Sequence, residues 1–134
     1  MAYLVIVVAF EQADRLFDLG REPQASAQMI RDTSSMVVLV LAGLTVAGVV
    51  PVVEEVLFRA VLYLPLRRRI GRLPATLAVS AIFALAHLYI WGLPHLFVLS
   101  LLFIALYEKT KSLWMSILTH AAFNGVNIVL LRCL

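Results

Sequence analysis

The stretch VVPVVEEVLFRAVLYLPLRRR, residues 49–69, decides what kind of fold this chain has. It is apolar on both sides of Glu54, Glu55 and Arg59, and it ends in a run of arginines. An apolar run closed by a basic cluster is typical of a helix that crosses a membrane. Ionisable side chains are expensive inside such a run, so their default interpretation is a functional site.

The composition of the whole chain also indicates a bilayer environment. Of its 134 residues, 63% are apolar and 14% are charged, whereas about a quarter of an ordinary soluble domain is charged. Several basic residues form short clusters between apolar runs, which predicts cytoplasmic loops rather than a nucleic-acid surface. The single cysteine, Cys133, excludes an intramolecular disulfide and offers no metal-binding pair.

The chain divides into two regions. Residues 1–35 are predicted to hold a partial N-terminal helix and a polar connecting segment. Met1–Phe10 is too short to span a membrane and is interpreted as part of a longer helix. The polar segment after it is expected to form, in part, an amphipathic helix at the membrane surface. Residues 36–134 are predicted to form the membrane domain.

Four apolar stretches make up the predicted membrane domain, over residues 36–66, 73–91, 93–107 and 113–131. Each has roughly the 20 residues that a spanning helix needs, except the stretch 93–107, which is expected to be tilted or only partly embedded. The first stretch is long enough either for a tilted span or for one that is broken at Pro51, where a helix would restart. The predicted fold is an all-α, multi-pass transmembrane bundle of four to five helices in the cell membrane.

The basic clusters also predict an orientation. Placing Arg67–Arg72 in the cytoplasm puts Gly92 and Pro94 outside and returns Lys109 and Lys111 to the inside. Polar side chains then fall at similar depths, at about 1.5 Å of rise per residue. Glu54 lies about 20 Å before the arginine cluster along its helix. The other polar side chains lie at similar distances from the basic residues nearest to them in the sequence. The side chains at this shared depth are Glu54, Glu55, His87, His120 and Asn124.

Local spacing supports a common site. Side chains four residues apart share one helix face, and three such pairs occur: Glu55 with Arg59, Phe83 with His87, and His120 with Asn124. Taken singly, these are explained by an ion pair, core histidines and interhelical hydrogen bonds. Their grouping at one depth favours a functional site.

Three motifs occur in the order that is found in the CAAX prenyl endopeptidase family. EEVLFR at 54–59, FALAH at 83–87 and HAAFN at 120–124 resemble the family motifs E-E-x-x-x-R, F-x-x-x-H and H-x-x-x-N. The family includes bacterial CPBP proteins, named for CAAX proteases and bacteriocin-processing enzymes. The resemblance covers about residues 45–131, and family members usually carry further helices before the first motif.

The resemblance implies hydrolysis of a peptide bond within the membrane. Glu54 would be the base that activates water, and His87 would help to hold and polarise that water. His120 and Asn124 would bind the developing oxyanion. Supporting roles would fall to Glu55, Arg59 and Phe83. The expected partners are a membrane-associated or leader-bearing peptide or protein substrate and the lipid bilayer.

Metal use stays open at this point. Glu54, His87 and His120 would also make a zinc set with an open position, although the chain contains no H-E-x-x-H helix. With Glu54 as a ligand, only Glu55 would remain as a base, and adjacent helical residues point about 100° apart. No cofactor is therefore expected, and zinc at these three residues is the alternative.

Two other classes of function compete with a protease. A non-catalytic bacteriocin-immunity or scaffold protein would keep the motifs for packing. A proton or ion transporter would also place carboxylates and histidines in mid-membrane. The transporter is disfavoured because no inverted repeat or pair of broken helices is found.

Overall fold

The computed structural model describes residues 25–133, and these residues form helices and short connections without any strand. The predicted all-α bundle is confirmed. Met1–Phe10 and the first part of the predicted polar segment lie outside the described residues. The helices are α1 (Ala25–Asp32), α2 (Met36–Ile70), α3 (Arg72–Ala86), α4 (Leu93–Thr110) and α5 (Leu113–Cys133).

Helix α2 has clear start and stop signals. The Ser35 hydroxyl accepts a hydrogen bond from the Val38 N–H and caps its first turn. The helix ends at Gly71, whose φ of 88° lies in a region that a glycine adopts without steric cost. Between these residues α2 runs for 35 residues, which is long enough to cross a bilayer with tilt.

Of the two alternatives for this stretch, the structure shows the one in which the helix continues through Pro51. A wider π-helical segment, Thr45–Val49, comes just before the proline, and the helix continues through it. The Val50 N–H bonds to the Thr45 carbonyl, five residues back. A proline ring clashes with the carbonyl four residues earlier in an α-helix. The π segment shifts the hydrogen-bond register by one residue and accommodates the ring.

The predicted bounds of the next two helices, residues 73–91 and 93–107, are wrong. Helix α3 has 15 residues and ends at Ala86, short of the predicted end at residue 91. Leu88 has a φ of 50° and Tyr89 is extended, so the chain turns here. Gly92 lies under the Tyr89 ring, where a Cβ would sit 2.4 Å from the ring carbon Cδ1. The following segment is longer than predicted, because a short 3₁₀ turn and α4 together cover Ile90–Thr110.

The helices pack around an apolar core and expose an apolar exterior. The buried core cluster consists of Phe58, Tyr63, Ala75, Val79, Phe83 and Ile104. Large apolar side chains on the outer faces are exposed, among them Met36, Leu41, Leu73, Leu118 and Val129. An exposed apolar surface of this extent suits lipid rather than water. Within residues 25–133, three segments are long and apolar enough to span a membrane: Met36–Ile70, Ile90–Thr110 and Leu113–Cys133.

Polar contacts tie the ends of the helices together. The Glu108 carboxylate accepts hydrogen bonds from the Tyr63 hydroxyl, at 3.0 Å, and from Lys111 Nζ, at 2.7 Å. The Arg67 guanidinium lies 2.9 Å from the same carboxylate. These contacts hold the α2–α3 and α4–α5 connections at one end of the bundle. At the other end of α5, Arg132 donates to the carbonyls of Arg31, in the last turn of α1, and of Thr33, just after it.

Candidate active site

Glu54 lies between two histidines that come from different parts of the bundle. His87 Nε2 is 3.9 Å from Glu54 Oε1, and His120 Nε2 is 3.6 Å from Glu54 Oε2. The carboxylate is on α2, His87 caps the end of α3, and His120 is on α5. The structure therefore brings together three residues that the sequence had placed at one depth.

The Nδ1 atoms of both imidazole rings already have hydrogen-bond partners. His87 Nδ1 is 2.7 Å from the Phe83 carbonyl oxygen, and His120 Nδ1 is 3.0 Å from Glu55 Oε1. A carbonyl or carboxylate oxygen only accepts, so Nδ1 carries the hydrogen in both rings. In a neutral ring Nε2 is then an acceptor. The two Nε2 atoms face the Glu54 oxygens, and such a pair of acceptors needs a donor between them.

A water molecule has the size and chemistry to be that donor. The distances of 3.6 and 3.9 Å are too long for direct hydrogen bonds, and one water can bridge them. Glu54 is partly accessible, with 23% of its side chain exposed. Its Oε2 atom is itself buried and makes no hydrogen bond within the described part of the chain, so it needs a donor that these residues do not supply. The carboxylate is therefore free to accept a proton from a bridging water.

Glu55 and Arg59 form a buried ion pair behind His120, as their four-residue spacing predicts. Arg59 Nε is 3.1 Å from Glu55 Oε2, and both side chains are fully buried. The atoms are close, but they are not aligned for a hydrogen bond. The contact is therefore mainly electrostatic. Both Glu55 oxygens are engaged, one by Arg59 and the other by His120.

Helix α4 lines the other side of this pair although it carries none of the three motifs. Arg59 Nη2 donates to the Ser100 hydroxyl and carbonyl at 3.3 and 3.4 Å. Phe103 stacks on the His120 ring, with centroids 4.6 Å apart and planes 26° apart. Sequence reasoning missed both residues. The available signal was Ser100, a lone hydroxyl inside an apolar run, which is expected to face the bundle interior.

Phe83 packs among the charged and imidazole groups. Its ring centroid is 4.7 Å from that of His87 and 6.1 Å from that of His120. The Arg59 guanidinium carbon lies 5.1 Å from the same centroid, a cation–π distance. The fully buried Phe83 ring therefore packs against Arg59 and both histidines.

Asn124 makes a contact that sequence reasoning did not foresee. Its Nδ2 donates to the Val46 carbonyl at 2.9 Å, which joins α5 to the π segment of α2. Nδ2 carries a second N–H that this bond does not use. The predicted role of Asn124 in binding an oxyanion stays a prediction.

The alternative zinc set of Glu54, His87 and His120 stays a prediction and gains no support from the described residues. Among the described residues, no three histidine, cysteine, aspartate or glutamate side chains are arranged to hold a metal ion. A zinc ion held by Glu54 would also leave the reaction without a carboxylate base. Both oxygens of Glu55 are occupied by Arg59 and His120, so Glu55 does not replace it.

Comparison with known proteins identifies the family. Residues 36–126, which include all three motifs, match the family described as Type II CAAX prenyl endopeptidase Rce1-like. The chain belongs to this family. The Rce1-like chain is also 28% identical over 115 residues to "Putative membrane peptidase YdiL" of Bacillus subtilis (strain 168).

That alignment covers 86% of the Rce1-like chain and 46% of YdiL. The chain thus spans about half the length of this curated relative. No solved structure matches. The family, the relative and the apolar helices together support a membrane protease.

Proposed function

We propose that this Rce1-like chain is an intramembrane endopeptidase of the CAAX type. Glu54 activates a water that hydrolyses a peptide bond of a membrane-associated or leader-bearing peptide. The observation that carries the proposal is the placement of two histidine Nε2 atoms 3.6 and 3.9 Å from the two Glu54 oxygens. Their Nδ1 atoms are anchored elsewhere, so both rings are oriented towards the carboxylate before substrate binds.

The proposed reaction uses Glu54, one water molecule and the side chains of Asn124 and His120. Glu54 takes a proton from the bridging water as the water oxygen attacks the peptide carbonyl. The carbonyl oxygen becomes an oxyanion, and the second N–H of Asn124 stabilises it. His120 donates to the oxyanion only when Nε2 is also protonated, because its Nδ1–H is bonded to Glu55. Glu54 then passes its proton to the leaving amine.

The ion pair of Glu55 and Arg59 supports this chemistry without taking part in it. Glu55 holds His120 in one tautomer and orientation, and Arg59 compensates the Glu55 charge. We also propose that the reaction proceeds without a metal, since Glu54 then remains available as the base.

The test compares the wild-type chain with Glu54→Gln, a change that keeps the side-chain shape. Both proteins are expressed in the same bacterial host, and new N-termini in its membrane proteins are mapped by mass spectrometry. A quenched fluorescent peptide spanning the strongest site is then assayed with purified protein. We expect Glu54→Gln to lower kcat by about 100- to 10,000-fold at an unchanged melting temperature.

Two outcomes would overturn the proposal. Equal sets of new N-termini with both proteins would exclude Glu54-dependent proteolysis. A protective effect against a peptide toxin that survives Glu54→Gln, without any cleavage, would establish the immunity or scaffold role instead. A parallel assay with a strong chelator tests the metal-free reaction, because a metal-dependent enzyme would lose activity and regain it on adding zinc.

A further inference from the structure

We infer that Pro51 is a positioning residue for the proposed reaction, acting through the Val46 carbonyl on the Asn124 side chain. Proline leaves this carbonyl without a helical donor, and Asn124 takes the donor's place. The inference rests on the proposed function. Pro51 itself belongs to none of the three motifs, and no side-chain group of a proline takes part in hydrolysis.

The hydrogen bonds around the π segment lead to this inference. In an α-helix the Val50 N–H would bond to the Val46 carbonyl, four residues back. Here the Val50 N–H bonds instead to the Thr45 carbonyl, five residues back. In that register the donor for Val46 would be the N–H of residue 51. Residue 51 is proline and has no N–H.

The Asn124 amide satisfies this carbonyl from a neighbouring helix. Its Nδ2 lies 2.9 Å from the Val46 oxygen in a partly buried contact. A backbone carbonyl at membrane depth is costly without a partner, so the bond is favoured there. Because an amide group is planar, anchoring one N–H fixes the direction of the other.

Fixing that direction matters for an oxyanion donor. Catalysis gains most when donors are already aimed at the position where charge develops. Asn124 lies one helical turn after His120, so both side chains share a face of α5. Restoring a donor at residue 51 would provide Val46 with a backbone partner in either register. The Asn124 amide would then lose its anchor or share it.

A spectroscopic test observes the anchor directly. The chain has two asparagines, Asn124 and Asn127, so selective ¹⁵N-asparagine labelling gives two side-chain amides in an NMR spectrum. Asn127 serves as the internal reference. In the wild type we expect the Asn124 amide protons to be widely separated and slow to exchange. In Pro51→Ala they should move together and exchange faster, while the Asn127 signals stay unchanged.

A matched control comes from the same helix. Pro65 also lies two residues after a π segment, Val56–Tyr63, and the Leu64 N–H bonds to the Arg59 carbonyl five residues back. Pro65→Ala therefore makes the same chemical change in the same local structure, away from Asn124. It should leave both asparagine signals and the kinetics as in the wild type.

Kinetics on the quenched fluorescent peptide test the role in the reaction. We expect Pro51→Ala to lower kcat about 10-fold with KM little changed, and Asn124→Ala to lower kcat about 100-fold or more. In the Asn124→Ala background, Pro51→Ala should lower kcat no further, because the anchored group is gone. If Pro51 had a purely structural role, Pro51→Ala would lower kcat in that background as well.

Three results would overturn the inference. The Asn124 signals stay unchanged in Pro51→Ala, or they move while kcat remains at the wild-type value, or the two substitutions reduce kcat additively. Failure of the proposed function has a separate signature, namely equal cleavage by the wild type and Glu54→Gln. The two failures are therefore distinguishable.

Discussion

Each member of the buried pair Glu55 and Arg59 is held by more than its partner. Glu55 also accepts from His120, and Arg59 donates to Ser100. The guanidinium carbon lies 5.1 and 5.3 Å from two phenylalanine ring centroids. A buried charge needs such compensation, because desolvation of an ion costs several kcal/mol. The network therefore explains how two charges persist at the centre of an apolar bundle.

The pair gives a prediction about stability. Arg59→Ala removes the cation but leaves the Glu55 carboxylate buried, which should cost about 3 to 5 kcal/mol. Arg68→Ala is the control, because Arg68 is exposed and should tolerate the change. Tryptophan fluorescence during thermal unfolding in detergent measures the difference. An Arg59→Ala protein as stable as Arg68→Ala would show that the pair does not stabilise the fold.

The residues of the site differ in how far the sequence could predict them. Charged groups and histidines inside apolar runs identified Glu54, His87 and His120, because such groups must face the interior of a bundle. The contribution of Phe103 had no signal, since a phenylalanine in an apolar run is as compatible with lipid as with a ring stack. The hydrogen bond from Asn124 to the Val46 carbonyl had no sequence signal either, because a backbone carbonyl has the same chemistry at every residue.

At the scale of the helices, apolar runs predicted where the helices lie better than where they end. Helix α5 begins at Leu113, as expected. The end of α3 at Ala86 could not be read from hydropathy, because the turn after it is also apolar. That turn depends on the backbone of Leu88 and on the fit of Gly92 under a ring. The continuity of α2 through Pro51 depended on hydrogen-bond register, which composition does not encode.

The end of α2 gives a prediction at this scale. Gly71→Ala places a Cβ on a backbone with φ of 88° and ψ of 170°, a region that is essentially restricted to glycine, and this strain should cost about 1 to 3 kcal/mol. A Cβ at this position meets no atom within 4 Å, so steric contact adds nothing. Gly43→Ala is the matched control. A Cβ at Gly43 also meets no atom within 4 Å, but Gly43 lies within the helical segment Met36–Leu44. Thermal unfolding should show Gly71→Ala clearly less stable than Gly43→Ala, and equal melting temperatures would contradict the strain.

The whole molecule places irregular backbone close to its reactive groups. Helix α3 has 15 residues, or about 22 Å of rise, so it stops short of a hydrocarbon core about 30 Å thick. We therefore expect the connection that follows, with His87 at its start, to lie within membrane depth. Non-helical backbone is tolerated there only against protein or a water-filled cavity. A short α3 is thus compatible with water reaching Glu54.

The ends of the bundle predict its topology. Arg67 and Lys111 both contact Glu108, so the α2–α3 and α4–α5 connections lie at one end. The basic clusters there predict that this end faces the cytoplasm. Single cysteines at Arg68 and Lys109, in a Cys133→Ser background, should react with an impermeant maleimide in inside-out vesicles and not in intact cells.

A cysteine at Leu88 tests the opposite end of the bundle in the same labelling experiment. Its side chain is 94% exposed and lies in the connection at the other end of α3. Leu88→Cys should therefore react from outside, because an impermeant reagent reaches only thiols in contact with water on its own side of the membrane. Labelling after detergent treatment confirms that each thiol is reactive. Reaction of Arg68→Cys and Lys109→Cys from opposite sides would contradict the link that Glu108 makes between the two connections, and with it the predicted orientation.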